Sequence, residues 1–132
     1  MGASRSTIVA QRGQGIVEIA LVLPVFLLLV LGTIDLGRAV YTHTVLSNAV
    51  RDGCRVAIID TNTTSQVIQK VVQSAVGVNL PPSNVTVSGT RTPGSTVTVS
   101  AFIVYSPITP IIQAFVPSPI TLRATSAMVV SE

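Results

Sequence analysis

Side chains able to do chemistry are scarce in this 132-residue chain, which holds one His, one Cys and five acids. His43, Cys54, Glu18, Asp35, Asp52, Asp60 and Glu132 are scattered. No nucleophile lies beside a base, no two carboxylates are paired, and no set of ligands has metal spacing. There is no Gly-rich phosphate loop either. The expectation is therefore no catalytic residue, no metal and no cofactor. One acid nevertheless stands out by its place. Glu18 lies inside the apolar stretch "QRGQGIVEIALVLPVFLLLVLGTIDLGR", Gln11 to Arg38, five positions after Gly13. A carboxylate at the centre of a bilayer costs about 2.5–3.5 kcal/mol, and less near an end.

Between Arg12 and Asp35 lie 22 residues with Glu18 as their single charge. That matches the roughly 20 residues a helix needs to cross a bilayer. The uncharged part, Ile19 to Ile34, is 16 residues and suffices only with Gln14 to Val17 added. A discarded secretory signal is the rival reading, with Met1 to Arg12 as its basic leader. No Ala-x-Ala site follows the apolar run; "TIDLGRAVYTHT" comes next and still reads as helix. A retained anchor is favoured. Arg5 and Arg12 on one flank, against Arg38, Arg51 and Arg55 on the other, leave the orientation open.

Two readings of Glu18 remain. Either its carboxylate reaches the head groups, or it has a partner. A cut between Gly13 and Gln14 would make Glu18 the fifth residue of the shortened chain, one helical turn from a new terminal ammonium. In a bundle of identical helices the ammonium of one copy can meet the carboxylate of the next, where a low dielectric strengthens their attraction. Glu18 would then set the register of assembly.

A Gly followed after four residues by Glu, at the head of an apolar helix with a short basic leader, resembles the type IV prepilin processing site. The longer pattern "RGQ", "VEIALVLPVFLLL", "GTIDLGRA" and "LSNAVRDGCR", within Arg12 to Ala57, resembles the TadE-like family of pilin-related proteins in tight-adherence (Flp) pilus systems. Two departures stand out: Cys54 where a small residue such as Ala is expected, and Ile19 where an aromatic is usual. The resemblance implies cleavage between Gly13 and Gln14 by a membrane prepilin peptidase, whose active residues lie in that enzyme. It implies partners among other pilin or pseudopilin subunits, the pilus assembly machinery and membrane lipid, in a homo- or hetero-polymer. It also implies a single-pass chain in the cytoplasmic membrane with its carboxyl-terminal part outside, or an extracellular pilus. The alternative is a stationary single-pass protein whose exported domain binds a partner.

These residues need elements to hold them. Pro24 lacks an amide hydrogen and is expected to kink the anchor helix, depriving the Ala20 carbonyl of its bond. Gly32 and Gly37 loosen the helix or admit a close neighbour. Asp35 and Arg38, three apart on one face, read as the pair that marks the exit from the membrane. Apolar residues at 45/46, 49/50, 53/54 and 57/58 then continue a helical stripe. One helix from Gln14 to Ile58 would be about 65 Å long. Arg51, Asp52 and Arg55 lie off that stripe on a solvated face, and His43 falls at an exposed turn without a second ligand.

"DTNTTSQ" breaks the helix, and Ser65 or a neighbouring Thr can cap a second one with apolar pairs at 67/68, 71/72 and 75/76, closed by Gly77. After the loop "VNLPPSN" the period becomes two. Val85 and Val87 form one strand. Val97, Val99, Ala101, Ile103 and Tyr105 share a face of the next, and "ITLRATSAMVVS" alternates again. Between them Ile111, Ile112 and Phe115 suggest a short helical turn. The sum is an α+β chain: a long amino-terminal transmembrane helix, a second helix and a three-stranded antiparallel sheet. That is also the pilin-like arrangement the resemblance implies. The expected division is a leader at 1–13, an assembly helix at 14–37 and an exported domain at 38–132.

Composition agrees with export or self-association. Hydrophobic residues make up 48% of the chain and charged ones only 10%, where soluble domains carry about 25%. From residue 61 onward the only charges are Lys70, Arg91, Arg123 and Glu132. The net charge of +3 comes from scattered arginines without interleaved aromatics, which argues against nucleic acid. A single Cys excludes an internal disulfide, and a small buried apolar side chain is its simplest reading. Asn62 and Asn84 each head an Asn-x-Thr triplet, a weak signal in so Thr-rich a chain.

Overall fold

The computed structural model describes residues 6–59, 62–109 and 119–130. The first helix, α1, runs Ser6–Ala57, 52 residues, or about 78 Å. It starts eight residues before the expected Gln14 and continues through Pro24 and across positions 37 and 38 without a break. Its two halves meet different surroundings. From Gly13 to Leu31 every residue is exposed, including Leu21, Phe26 and Leu29. From Leu46 onward the expected stripe is buried: Leu46, Ala49, Val50, Cys54 and Ala57 are fully covered.

The second helix, α2, spans Thr64–Ser74. Thr63 caps it: its hydroxyl accepts the Gln66 amide at 3.3 Å while the Gln66 side chain accepts the Thr63 amide at 2.7 Å. This reciprocal box satisfies amides that a helix start leaves open. Its apolar face, Val67 and Val71, packs into the same core as α1.

Three strands complete the head: β1 Val85–Ser88, β2 Thr96–Tyr105 and β3 Ile120–Val129. They form one antiparallel sheet in the order β1-β2-β3, with Val87 opposite Val99 and Ala101 opposite Ala124. The alternation read from the sequence holds along β2, where Val97, Val99, Ala101, Ile103 and Tyr105 all point inward. On β3, Ala124 is buried and Leu122 and Met128 are half-buried, against exposed Arg123 and Thr125. The expected α+β architecture is thus the observed one. The helical turn suggested by Ile111, Ile112 and Phe115 lies outside the described residues.

Two contacts fix the direction of the strands along α1. A Cβ built on Gly53 would lie 3.6 Å from Val99 Cγ1, and Tyr105 touches Asp35. β2 therefore descends alongside α1 toward the bare half, and β3 climbs away from it. The hairpin joining β1 to β2 opens with Gly89 at φ 103°, where a Cβ would clash with the Thr96 carbonyl. From the same hairpin, Arg91 hydrogen-bonds the Asn62 carbonyl, and the Asn62 side-chain amide donates to the Val56 carbonyl at 3.0 Å.

Gly53 is the tightest crossing. An added Cβ would approach Val71 Cγ2 to 2.2 Å, and a β-branched side chain on a helix has little rotamer freedom with which to retreat. Gly53→Ala is expected to lower stability by about 1–2 kcal/mol, because overpacking outweighs the roughly 1 kcal/mol of helix propensity gained. The check is the melting temperature of the full chain in detergent, which should fall; a rise would show that Val71 yields.

Candidate functional site

Two regions of α1 carry the residues singled out from the sequence. The first is the bare half. Gly13, Gln14 and Glu18 are all exposed on it, and Glu18 lines a shallow apolar groove with Ile19, Val22, Leu23 and Phe26. Among the described residues Glu18 has no ion-pair partner; the one ion pair found there is Asp35–Arg38. Leaving this half in water would expose on the order of 1,000 Å² of apolar surface, at about 25 kcal/mol. That exceeds the 5–15 kcal/mol by which a whole domain is usually stable. The helix needs lipid or other helices around it.

The second region is the junction. Asp35 and Arg38 do approach each other, at 3.7 Å, but Arg38 is the lesser partner. Asp35 is 4% exposed. One carboxylate oxygen accepts the Ile108 amide at 3.0 Å and the other accepts the Thr109 amide at 2.9 Å. The Asp35 main-chain carbonyl accepts the Tyr105 hydroxyl at 2.8 Å. The Arg38 guanidinium also lies 5.9 Å from the centre of the Tyr105 ring, within cation–π range. Burial, with Asp35 beside it, pushes the Tyr105 phenol up, while Arg38 pulls it back down; it stays a neutral donor at physiological pH. The acid at the end of the apolar run is thus a clasp on the chain leaving β2. Amides 108 and 109 are about 70 positions away, and nothing local in the sequence announces them.

The remaining candidates are quieter. Arg51, Arg55 and His43 are exposed on α1 and Asp52 is half-buried. Cys54 is fully buried, and its thiol donates to the Ser126 carbonyl with Sγ and O 3.1 Å apart. A bridge to another chain would require the core to open. Among the described residues no three His, Cys, Asp or Glu side chains gather to hold a metal.

Together, a head of two layers and a bare apolar helix long enough to cross a membrane define a chain suited to membrane anchoring. The family model described as TadE, TadE-like protein, matches residues 13–55. The match covers the bare half of α1, the Asp35–Arg38 junction and most of the buried stripe, and bears out the resemblance seen in the sequence. Over this third of the chain the similarity suggests a tight-adherence pilus-associated protein. Among curated proteins and among solved structures, nothing matches this chain.

The clasp makes a specific demand on exchange. Asp35→Ala removes both acceptors, so the Ile108 and Thr109 amides should lose protection against hydrogen exchange while strand amides at Val97 and Val99 keep theirs. Asp35→Asn retains one acceptor oxygen and should expose one of the two amides. Mass-resolved exchange of a peptide covering 106–109 reads both; unchanged protection in Asp35→Ala would refute the clasp.

Proposed function

We propose that the protein is a pilin-like structural subunit of a tight-adherence type IV pilus, either a minor pseudopilin or a filament component. In this reading a prepilin peptidase cuts between Gly13 and Gln14. The helix from residue 14 to 37 is inserted in the membrane and assembles after the cut, and the part from residue 38 onward lies outside the cytoplasmic membrane. The carrying observation is Glu18, a carboxylate exposed on an apolar helix face with no ion-pair partner among the described residues of its own chain. Removing a charge from water without a counter-charge is costly. An ammonium on Gln14 of a neighbouring copy supplies that counter-charge and fixes the stagger between helices. The match to the TadE-like family over residues 13–55 supports the same reading, since it begins at the residue before the proposed cut.

Amino-terminal mass spectrometry of the membrane fraction and of sheared surface material tests the proposal. Both should contain chains starting at Gln14; a chain retaining Arg5 and Arg12 in the membrane alone would favour the stationary anchor. Replacing Gly13 with a bulky residue should leave a precursor of unchanged length. Glu18→Ala should still insert, yet enter sheared material at a level reduced about tenfold, the factor that corresponds to about 1.4 kcal/mol per contact.

A further inference from the structure

We propose that the membrane-facing end of the head, centred on Ile108 beside Leu36 and Arg38, is a second membrane-contact surface that rests in the phospholipid headgroup layer. The inference depends on the anchoring of α1 in a bilayer, though not on its assembly into a filament.

Level along the helix is the first argument. The Asp35 carboxylate holds the Ile108 and Thr109 amides at 3.0 and 2.9 Å, so the turn after β2 sits at the height of residue 35. A span beginning at Gln14 uses up a hydrocarbon thickness of about 30 Å by residue 33 or 34. If Glu18 stays at the opposite head groups, Ile19 to Ile34 supplies only about 24 Å, and the shortfall draws residues beyond 34 toward the hydrocarbon. Both registers bring Ile108 to the boundary.

Surface character is the second. Ile108 is 65% exposed and Leu36 66%, and no exposed acid separates them from the bare helix at residue 35, because the Asp35 carboxylate is turned inward and 5% exposed. Gly32, Leu36, Ala39, Pro107 and Ile120 line an apolar groove at the same level. Arg38, one turn further out, keeps 49% of its side chain exposed. A buried acid and a half-exposed guanidinium leave this rim with an accessible positive charge, suited to lipid phosphates and to snorkelling from the interface. Interfacial segments of this kind sit about 5–10 Å into the headgroup boundary.

The chain contains no Trp, so single-Trp variants report without background. Three are needed: Ile108→Trp, Leu28→Trp within the bare helix, and Val129→Trp. Val129 is similarly exposed, at 59%. It pairs with Thr96, at the other end of a ladder in which Ile120 pairs with Tyr105, about 30 Å away along the strand. The full chain is reconstituted in vesicles of phosphatidylcholine and phosphatidylglycerol, with lipids brominated near the carbonyls or at mid-chain. Ile108→Trp should be blue-shifted and lose about half of its emission or more to the shallow bromolipid, as a residue seated in the interface would, whereas Val129→Trp should be quenched by aqueous iodide alone. Equal iodide quenching of the two overturns the proposal. Protection of Ile108→Trp from both iodide and bromolipid overturns it as well, in favour of a protein neighbour. If Leu28→Trp escapes the mid-chain bromolipid, the anchoring reading itself falls; if Leu28→Trp is quenched and Ile108→Trp is not, only this inference does.

Discussion

One helix has to satisfy two solvents, and the rest of the structure depends on how it does so. From Ile19 to Leu31 α1 is apolar on every side and can be covered only by lipid or by other helices. The second half is apolar on one stripe and is covered by α2 and the sheet. The switch between the two patterns occurs over residues 32–45, where apolar, small and polar side chains are mixed. Among the described residues the head shares one core with α1: Leu46, Val50 and Cys54 are as central to it as Val97 and Val99. A head of this size buries too little surface to be robust alone, so the packing of α1 supplies core that the head would otherwise lack.

Asp35 sits at the switch and shows how a charge is tolerated there. Both carboxylate oxygens are occupied by main-chain amides and the residue's carbonyl by a phenol. The acid closes the bottom of the head and sets the height at which β2 stops relative to the helix. Glu18 presents the contrast. It is exposed and has no such cover among the described residues of its chain.

Much of the architecture was legible because periodicity is local. The shift from a continuous apolar run, to a spacing of four, to alternation identifies a long apolar helix, two amphipathic helical segments and three strands. All are present, although α1 starts before Gln14 and α2 ends at Ser74, short of the 75/76 pair and of Gly77. The cap of α2 was legible only as Ser65 or a neighbouring Thr; the structure gives the role to Thr63, with Gln66 as its reciprocal partner. What stayed hidden is long-range. Asp35 and Arg38 read as a pair at the membrane exit because a spacing of three shows only the neighbour on the helix. The amides of Ile108 and Thr109 become partners only after β2 has returned along α1. The burial of Cys54 was anticipated from its residue type, but the Ser126 carbonyl that accepts its thiol was not. Gly53, part of the helical stripe in sequence, owes its type to the approach of Val71, which no local pattern records.

That α1 passes unbroken from bare half to core also has a mechanical meaning. Asp35 and Ala57 are separated by 22 helical steps, about 33 Å, and no linker intervenes at which the head could pivot. A tilt of about 20°, ordinary for a helix in a bilayer, would carry the far tip of the head sideways by about 11 Å. With the bare half embedded in a bilayer, the attitude of the head would be dictated from within the lipid: a change in bilayer thickness, or a pull along the rod, would be felt at once by the sheet as a lever feels its handle.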